Sequence, residues 1–316
     1  MSATFDLELL WLVAGVVVVL IVGSVIGTLL ARRVTSESAR ATVANLNDRI
    51  RAWWIMAAVL AIAILVRGAG AVLLFALISF LALREFITLT PTGHGDHRTL
   101  LWVFFIVTPI QYWLIWRHHY EFFTIFIPVF AFLLLPTRTA LVGDVTGFLA
   151  RTATIQWALM ICVYCVSYVP ALLTLDISGY ENENAKLLLF LVIVVQGSDV
   201  FQYVWGKLYG RHRIAPAISP NKTWEGFLGG IATATVLGTV LWWATPFAPW
   251  QAALMSLVIA LMGFAGGLTM SAIKRDRGVK DFGTLIAGHG GVLDRIDSLC
   301  FAAPIFFFLT RYFFAA

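Results

Sequence analysis

Ten charged or titratable side chains lie within the 28 residues 271–298, whereas the chain as a whole is 60% hydrophobic and 12% charged. A charged group beside hydrocarbon is energetically expensive, so a cluster of both signs there indicates a functional site. Asp294 and Asp297 are three residues apart, which on a helix places both carboxylates on one face. Two carboxylates, completed by phosphate oxygens and water, are a common way for a protein to hold Mg²⁺. The spacing therefore predicts a magnesium site.

The same stretch supplies groups that suit phosphate ligands. Its cations are Lys274, Arg275, Arg277 and Lys280. Glycines at 288, 290 and 291 would let the backbone approach a ligand closely. Lysine and arginine pair well with phosphate oxygens. Together these residues predict a site for a nucleotide or polyphosphate at a membrane surface.

A second motif occupies residues 218–226, with the sequence ISPNKTWEG. Lys222 offers a cation, and Thr223 is placed to cap a helix that begins near Trp224. Helix N-termini attract anions, so a phosphate here would meet amides and Lys222 together. A capped, positively charged loop without a ligand explains the motif equally well. Gly226, Gly229 and Gly230 favour close packing between helices.

The elements that must position these motifs are membrane helices. The mean hydropathy is +0.88, and long apolar runs without strict alternation exclude both a soluble domain and a β-barrel. We predict an all-α, polytopic membrane protein with about ten spans, at 7–30, 53–66, 69–83, 100–116, 122–135, 153–175, 187–205, 227–243, 250–270 and 296–314. The second and third are shorter than the ~20 residues of a perpendicular crossing. A tilted hairpin and a re-entrant pair both remain open, which gives eight to ten spans.

Three regions follow from this pattern. Residues 1–52 form an anchor helix and a polar linker, or interfacial helix, at 34–52. Residues 53–186 form an N-terminal transmembrane region, and residues 187–316 form a C-terminal catalytic region with the motif loops.

The distribution of basic residues predicts the orientation. With the N-terminus outside and ten spans, four of the 22 Lys and Arg residues fall outside, namely Arg67, Arg117, Lys186 and Arg311. Arg295 lies at a helix start, and the other 17 fall inside. This bias follows the positive-inside rule and predicts cytoplasmic motif loops. A transporter is a weaker hypothesis, because the charges gather at one face rather than along the midplane.

Residues 271–298 resemble the hallmark of the phosphatidate cytidylyltransferase (CDP-diacylglycerol synthase) family, S-x-x-K-R-x4-K-D-x-G followed by H-G-G-x-x-D-R-x-D. The stretches SDVFQYVWGKLYG and SPNKTWEGFLGG resemble two further elements of that family, in the same order. The resemblance covers residues 190–310. It implies the reaction of CTP with phosphatidate to give CDP-diacylglycerol and pyrophosphate, in phospholipid biosynthesis at a bacterial inner membrane.

The resemblance also implies roles for individual residues. Catalytic or phosphate-binding roles fall on Lys222, Lys274, Arg275, Lys280, Asp281, His289 and Arg295. Substrate binding falls on Lys207, Ser219, Thr223, Gly290 and Gly291. Mg²⁺ ligands would be Asp294 and Asp297 with Asp199 as a third, and a second cation stays open. The implied partners are CTP, phosphatidate and membrane lipid, without nucleic acid; a homodimer stays open.

Two departures from the family pattern stand out. Gly267 replaces an expected aspartate that resembles a metal ligand, and Ala287 replaces a proline. A second hypothesis is therefore a weakened or non-catalytic paralogue that binds anionic lipid or nucleotide.

Overall fold

The computed structural model describes residues 7–34, 36–66, 68–286 and 290–315. Ten long helices occur among them: α1 (Leu7–Arg33), α2 (Glu37–Leu65), α3 (Gly68–Thr88), α4 (His97–Trp116), α5 (Tyr120–Ala140), α6 (Phe148–Thr174), α7 (Asn184–Tyr209), α8 (Trp224–Val240), α9 (Pro249–Asp276) and α10 (Leu293–Phe314). Helices α4, α5 and α6 contain π-helical segments at Val103–Val107, Phe126–Ala131 and Met160–Cys165. Short strands β1 (Arg213–Ala215) and β2 (Ser219–Thr223) form an antiparallel hairpin between α7 and α8. The predicted all-α membrane architecture is confirmed.

Eight of the helices are long and apolar enough to cross a membrane; α2 and α8 are the two that are not among them. Residues 37–52, which belong to the segment predicted as a polar linker or interfacial helix, form the first half of α2. Its polar side chains pack on α1, where Asn47 donates to the Gly27 carbonyl and the Trp54 indole donates to the Ser24 hydroxyl. Helix α3 has 21 residues, so the short span predicted at 69–83 continues through Arg84 and Glu85.

Helices α7 to α10 pack as successive antiparallel neighbours. The contact between α7 and α8 is close because glycines line it: a Cβ on Gly226 would lie 2.8 Å from the Gln202 carbonyl and 3.0 Å from the Gly206 α-carbon. This confirms the predicted packing role of Gly226. Since α7 ends, α8 begins, α9 ends and α10 begins at the same end of the bundle, both sequence motifs meet there. We call it the motif end.

One hydrophobic core runs through α3 to α7, α9 and α10 and thus through both predicted transmembrane regions. Phe86 of α3 stacks on Phe282 of the loop between α9 and α10, with ring centroids 6.0 Å apart. At the opposite end, buried Lys186 pairs with Glu8 of α1 and with Glu183. The predicted boundaries at residues 52 and 186 lie inside α2 and α7, respectively.

Candidate active site

Asp294 lies in the first turn of α10 and is buried. The Lys274 ammonium donates to its Oδ1 at 2.9 Å. The amides of Phe282 and Gly291 donate to its Oδ2 at 2.8 Å and 2.9 Å. One carboxylate therefore connects the end of α9, the following loop and the start of α10. Protein groups already contact both oxygens, and the role of Asp294 as a metal ligand stays a prediction.

Asp297, one turn further along α10, has fewer protein partners. Its Oδ1 accepts from the Ser298 amide at 2.8 Å. Asp199 of α7 lies close enough to repel Asp297 electrostatically and within hydrogen-bonding reach of Ser298. The acidic pair that two helices bring together is thus Asp199 and Asp297, whereas the spacing argument paired Asp297 with Asp294.

Lys222 of β2 brings the second motif to this pair. Its ammonium lies over the Phe264 ring, 4.5 Å from the centroid, and interacts electrostatically with Asp199 and Asp297. Burial lowers the pKa of Lys222 below its ordinary value, and the two carboxylates oppose this effect. Both predicted motifs therefore contribute to one cluster.

Arg295 completes the cationic side of the cluster. It interacts electrostatically with Asp199 and Asp297. Its Nε is buried without a hydrogen-bond partner among the residues that the structure describes. A buried guanidinium N–H without an acceptor is suited to an anionic ligand, because leaving such a donor unpaired is energetically unfavourable.

The donor set fits Mg²⁺ held jointly with a substrate. No group of three or more His, Cys, Asp or Glu side chains suited to a metal occurs in the described part of the chain. Mg²⁺ commonly uses only one or two carboxylates and completes its octahedral shell with substrate phosphates and water. The pair of Asp199 and Asp297 meets that requirement, although magnesium itself stays a prediction.

The other predicted site residues lie around this cluster at the motif end. The Arg275 side chain bridges two loops, donating to the carbonyls of Ile218 and Val279 at 3.2 Å and 3.1 Å. The Thr223 hydroxyl accepts from the Gly226 amide at 3.2 Å, which confirms the predicted cap. Four other predicted site residues at this end are exposed or half-buried: Lys207, Ser219, Lys280 and Asp281. His289 lies outside the described residues, as do Ala287 and Arg67.

Gly290 and Gly291 have evident packing roles. Gly290 has φ +81°, and a Cβ there would lie 2.8 Å from Asp294 Oδ2. The Gly291 amide donates to Asp294, and its α-carbon faces Glu85. Their predicted contact with substrate is an additional role that stays a prediction.

Gly267 faces the cluster from α9. A Cβ at this position would lie 3.2 Å from the Lys222 ammonium and 3.3 Å from the Ser298 hydroxyl. The carboxylate that the family resemblance leads one to expect here would therefore lie beside Lys222. Its absence leaves two carboxylates, from Asp199 and Asp297, to face this lysine.

Sequence reasoning missed Glu85 of α3. Its two carboxylate oxygens accept from the amides of Val292 and Leu293, each at 2.9 Å. The available signal was an acidic residue in the last turn of an apolar helix, which is a site hypothesis by default.

A shallow, open groove of about 460 Å³ lies between α3, α6 and α9. Its walls are mainly apolar, and its polar groups are Thr154 of α6 and Asp276 and Arg277 at the end of α9. It is lined by Phe86, Ala153, Thr154, Trp157, Ala272, Ile273, Asp276 and Arg277.

Apolar helices long enough to cross a bilayer define an integral membrane protein, and the carboxylates, lysines and arginine gathered at one end are groups that suit phosphate ligands. Comparison with known proteins identifies the family: residues 47–313 match the model of the Cytidylyltransferase family. The chain belongs to this family and is a nucleotidyltransferase enzyme.

Several relatives share long segments with the chain. An E. coli K12 protein named uncharacterized protein YnbB is 43% identical over 270 residues, covering 84% of this chain and 87% of its own length. Phosphatidate cytidylyltransferase of Mycobacterium leprae is 39% identical over 173 residues, covering 54% of this chain and 53% of its own. The Bacillus subtilis protein of the same name is 35% identical over 189 residues, covering 59% and 68%.

Proposed function

We propose that this enzyme is a phosphatidate cytidylyltransferase, which converts CTP and phosphatidate to CDP-diacylglycerol and pyrophosphate. The observation that carries the proposal is the convergence of Lys222, Arg295 and the acidic pair at the motif end. The names of the M. leprae and B. subtilis relatives support the same reaction.

The reaction requires positioning and charge stabilisation rather than a nucleophilic side chain. A phosphate oxygen of phosphatidate attacks the α-phosphorus of CTP, the bond from that phosphorus to the β-phosphate oxygen breaks, and pyrophosphate leaves. Lys222 and Arg295 would bind the triphosphate and stabilise the negative charge on the leaving group. Asp199 and Asp297 would hold Mg²⁺, which when bound neutralises phosphate charge and orients the phosphates.

The groove supplies a place for the lipid substrate. The groove is open along its side, so an acyl chain would enter it from the surrounding lipid. Apolar walls suit an acyl chain, and Arg277 at its polar end suits the phosphate headgroup. Phosphatidate would then reach the cluster from the lipid phase.

The proposal includes a location. The family resemblance implies a bacterial inner membrane, and the charge bias of the loops favours an orientation with the motif end in the cytoplasm, where CTP is present. A homodimer stays open, and nucleic acid is not an expected partner.

The test is a transfer assay on purified protein in detergent, with labelled CTP. CDP-lipid should form only when phosphatidate and Mg²⁺ are both present. Lys222→Met and Asp297→Asn should each lower kcat/KM about 100-fold or more, because each removes a charge that stabilises the transition state. Arg117→Gln, an exposed cation at the opposite end, is the matched control and should retain wild-type activity. Full activity in Lys222→Met would contradict the proposal.

Gly267 favours one alternative, a weakened or non-catalytic paralogue, because position 267 faces Lys222 without a carboxylate. Gly267→Asp distinguishes the two hypotheses. If the wild-type protein makes no CDP-lipid and Gly267→Asp does, the chain is a paralogue that has lost a ligand. Wild-type turnover with phosphatidate that Gly267→Asp does not increase excludes that alternative.

A further inference from the structure

Glu85 holds the N-terminus of α10 from the other half of the chain. It lies in the last turn of α3, 207 residues before Val292. Its Oε1 accepts from the Val292 amide and its Oε2 from the Leu293 amide, each at 2.9 Å. A carboxylate with both oxygens engaged in this way fixes the first turn of the helix in position and orientation.

Two glycines enclose the same carboxylate. A Cβ on Gly283 would lie 2.7 Å from Glu85 Oε1, and a Cβ on Gly291 would lie 2.8 Å from that atom. Real Cβ atoms do not approach so closely, so neither position accommodates a side chain without movement. The position of the Glu85 carboxylate therefore explains why residues 283 and 291 are glycines.

The Glu85 carboxylate also determines which anion the N-terminal amides of α10 bind. The first amides of a helix lack intrahelical acceptors, and they often bind an anionic ligand. Here Glu85 accepts from two of them, and Asp294 accepts from the preceding Gly291 amide. The protein's own carboxylates therefore occupy the place that a phosphate would take. A phosphate at this end would depend on side-chain cations such as Lys222 and Arg295.

We propose that Glu85 is a positioning residue. Its carboxylate occupies the anion position at the α10 N-terminus and holds the adjoining loop residues at Gly283 and Gly291. It thereby positions Arg295 and Asp297 opposite Lys222. The effect on catalysis rests on the proposed function, whereas the hold on the loop does not.

The experiment compares Glu85→Ala, Glu85→Gln and the control Glu121→Gln, an exposed acid on α5 at the opposite end. Trypsin cleavage after exposed Lys280 reports on the loop, and transfer kinetics report on the site. Glu85→Ala should lower kcat about tenfold or more, as loss of a residue that orients a ligand does, and should accelerate cleavage at Lys280. Glu85→Gln retains one carbonyl acceptor and should lie between wild type and Glu85→Ala in both measurements. Glu121→Gln should match wild type.

Combining substitutions at residues 85 and 283 distinguishes a positioning role of Glu85 from a general effect on stability. Gly283→Ala should impair the wild-type enzyme, because the new methyl group meets the Glu85 carboxylate. The same substitution should be milder in a Glu85→Ala background, where that atom is gone. Additive effects of the two changes would contradict the proposal.

Glu85→Gln keeps the shape of the side chain, so it tests the positioning role even if Glu85→Ala does not fold. Wild-type cleavage together with wild-type kcat in Glu85→Gln would overturn the proposal. If the wild-type protein lacks transferase activity, the proposed function fails, yet the cleavage rates still test whether Glu85 holds the loop.

Discussion

At the scale of single residues, the charge pair of Lys274 and Asp294 lies almost wholly out of solvent. The two side chains are 12% and 2% exposed, and their charged atoms are 2.9 Å apart. Removing one partner of such a pair leaves an uncompensated buried charge. The pair of Asp48 and Arg51 on α2 offers a contrast, since its side chains are 50% and 80% exposed and its charged atoms are 3.6 Å apart.

We therefore expect Lys274→Met to lower the free energy of unfolding by about 3–5 kcal/mol. The matched Arg51→Met should lower it by less than about 1 kcal/mol, because solvent screens the exposed pair. Unfolding in mixed detergent micelles measures both. Equal, small losses in the two variants would show that the Lys274–Asp294 pair does not stabilise the motif loop.

Residue spacing indicated which charged residues lie near one another, but not which groups each of them contacts. The i, i+3 spacing placed Asp294 and Asp297 together near cations, and Lys274 does interact with both. Spacing could not show that two loop amides would bind Asp294, because the path of a loop depends on tertiary packing. The Thr223 cap was predictable because capping depends only on neighbouring residues.

At the scale of helices, α3, α6 and α9 together form the groove, and α9 also carries Lys274 toward the cluster. Ala272 is a small wall residue of that groove. Ala272→Phe should fill it and raise KM for phosphatidate about tenfold, the effect of crowding an apolar pocket. KM for CTP should not change.

Ala58→Phe, at an exposed position of α2 away from the groove lining, is the control for added bulk. Initial rates measured with either substrate varied separate the two KM values. An equal rise in both, or no rise in either, would show that the lipid does not use the groove.

Helix boundaries were the least predictable feature at this scale. Residues 37–52 are mainly polar, and polarity alone favours a connector, yet they form part of α2 because α1 offers partners such as Ser24 and Gly27. Arg84 and Glu85 ended a predicted span, although α3 continues to Thr88. In both cases a hydrogen bond to another helix pairs a polar group that the local sequence would place in water. Asn47 donates to the Gly27 carbonyl, and Glu85 accepts from the Val292 and Leu293 amides.

At the scale of the whole molecule, the charged loops gather at one end of an apolar bundle, and we expect that end to face the cytoplasm. Ala217 is an exposed position in the hairpin at the motif end, and Ser178 is exposed at the opposite end. In intact cells, a membrane-impermeant maleimide should label Ser178→Cys and should label Ala217→Cys only after permeabilisation. The native Cys162 and Cys300 are buried and Cys165 is half-buried, so both variants are made in a Cys165→Ala background. The reverse labelling pattern would contradict the orientation.

The overall architecture followed from composition, because long apolar runs permit few structures in a membrane. The contacts between the N-terminal and C-terminal halves of the chain could not be predicted from composition. Glu85 and Val292 are far apart in the chain, and periodicity carries no information about which helices become neighbours. Phe86 and Phe282 illustrate the same limit: each predicts burial by its residue type, but neither indicates the other.

The central claim is that Lys222, Arg295 and the acidic pair of Asp199 and Asp297 form one site that transfers a cytidylyl group to a lipid phosphate. The most direct measurement supplies the purified protein with phosphatidate, Mg²⁺ and CTP labelled at either the α- or the γ-phosphate. The account predicts that α-label appears in the lipid fraction and γ-label in pyrophosphate. Appearance of γ-label in lipid, or release of label as inorganic phosphate without lipid product, would contradict it.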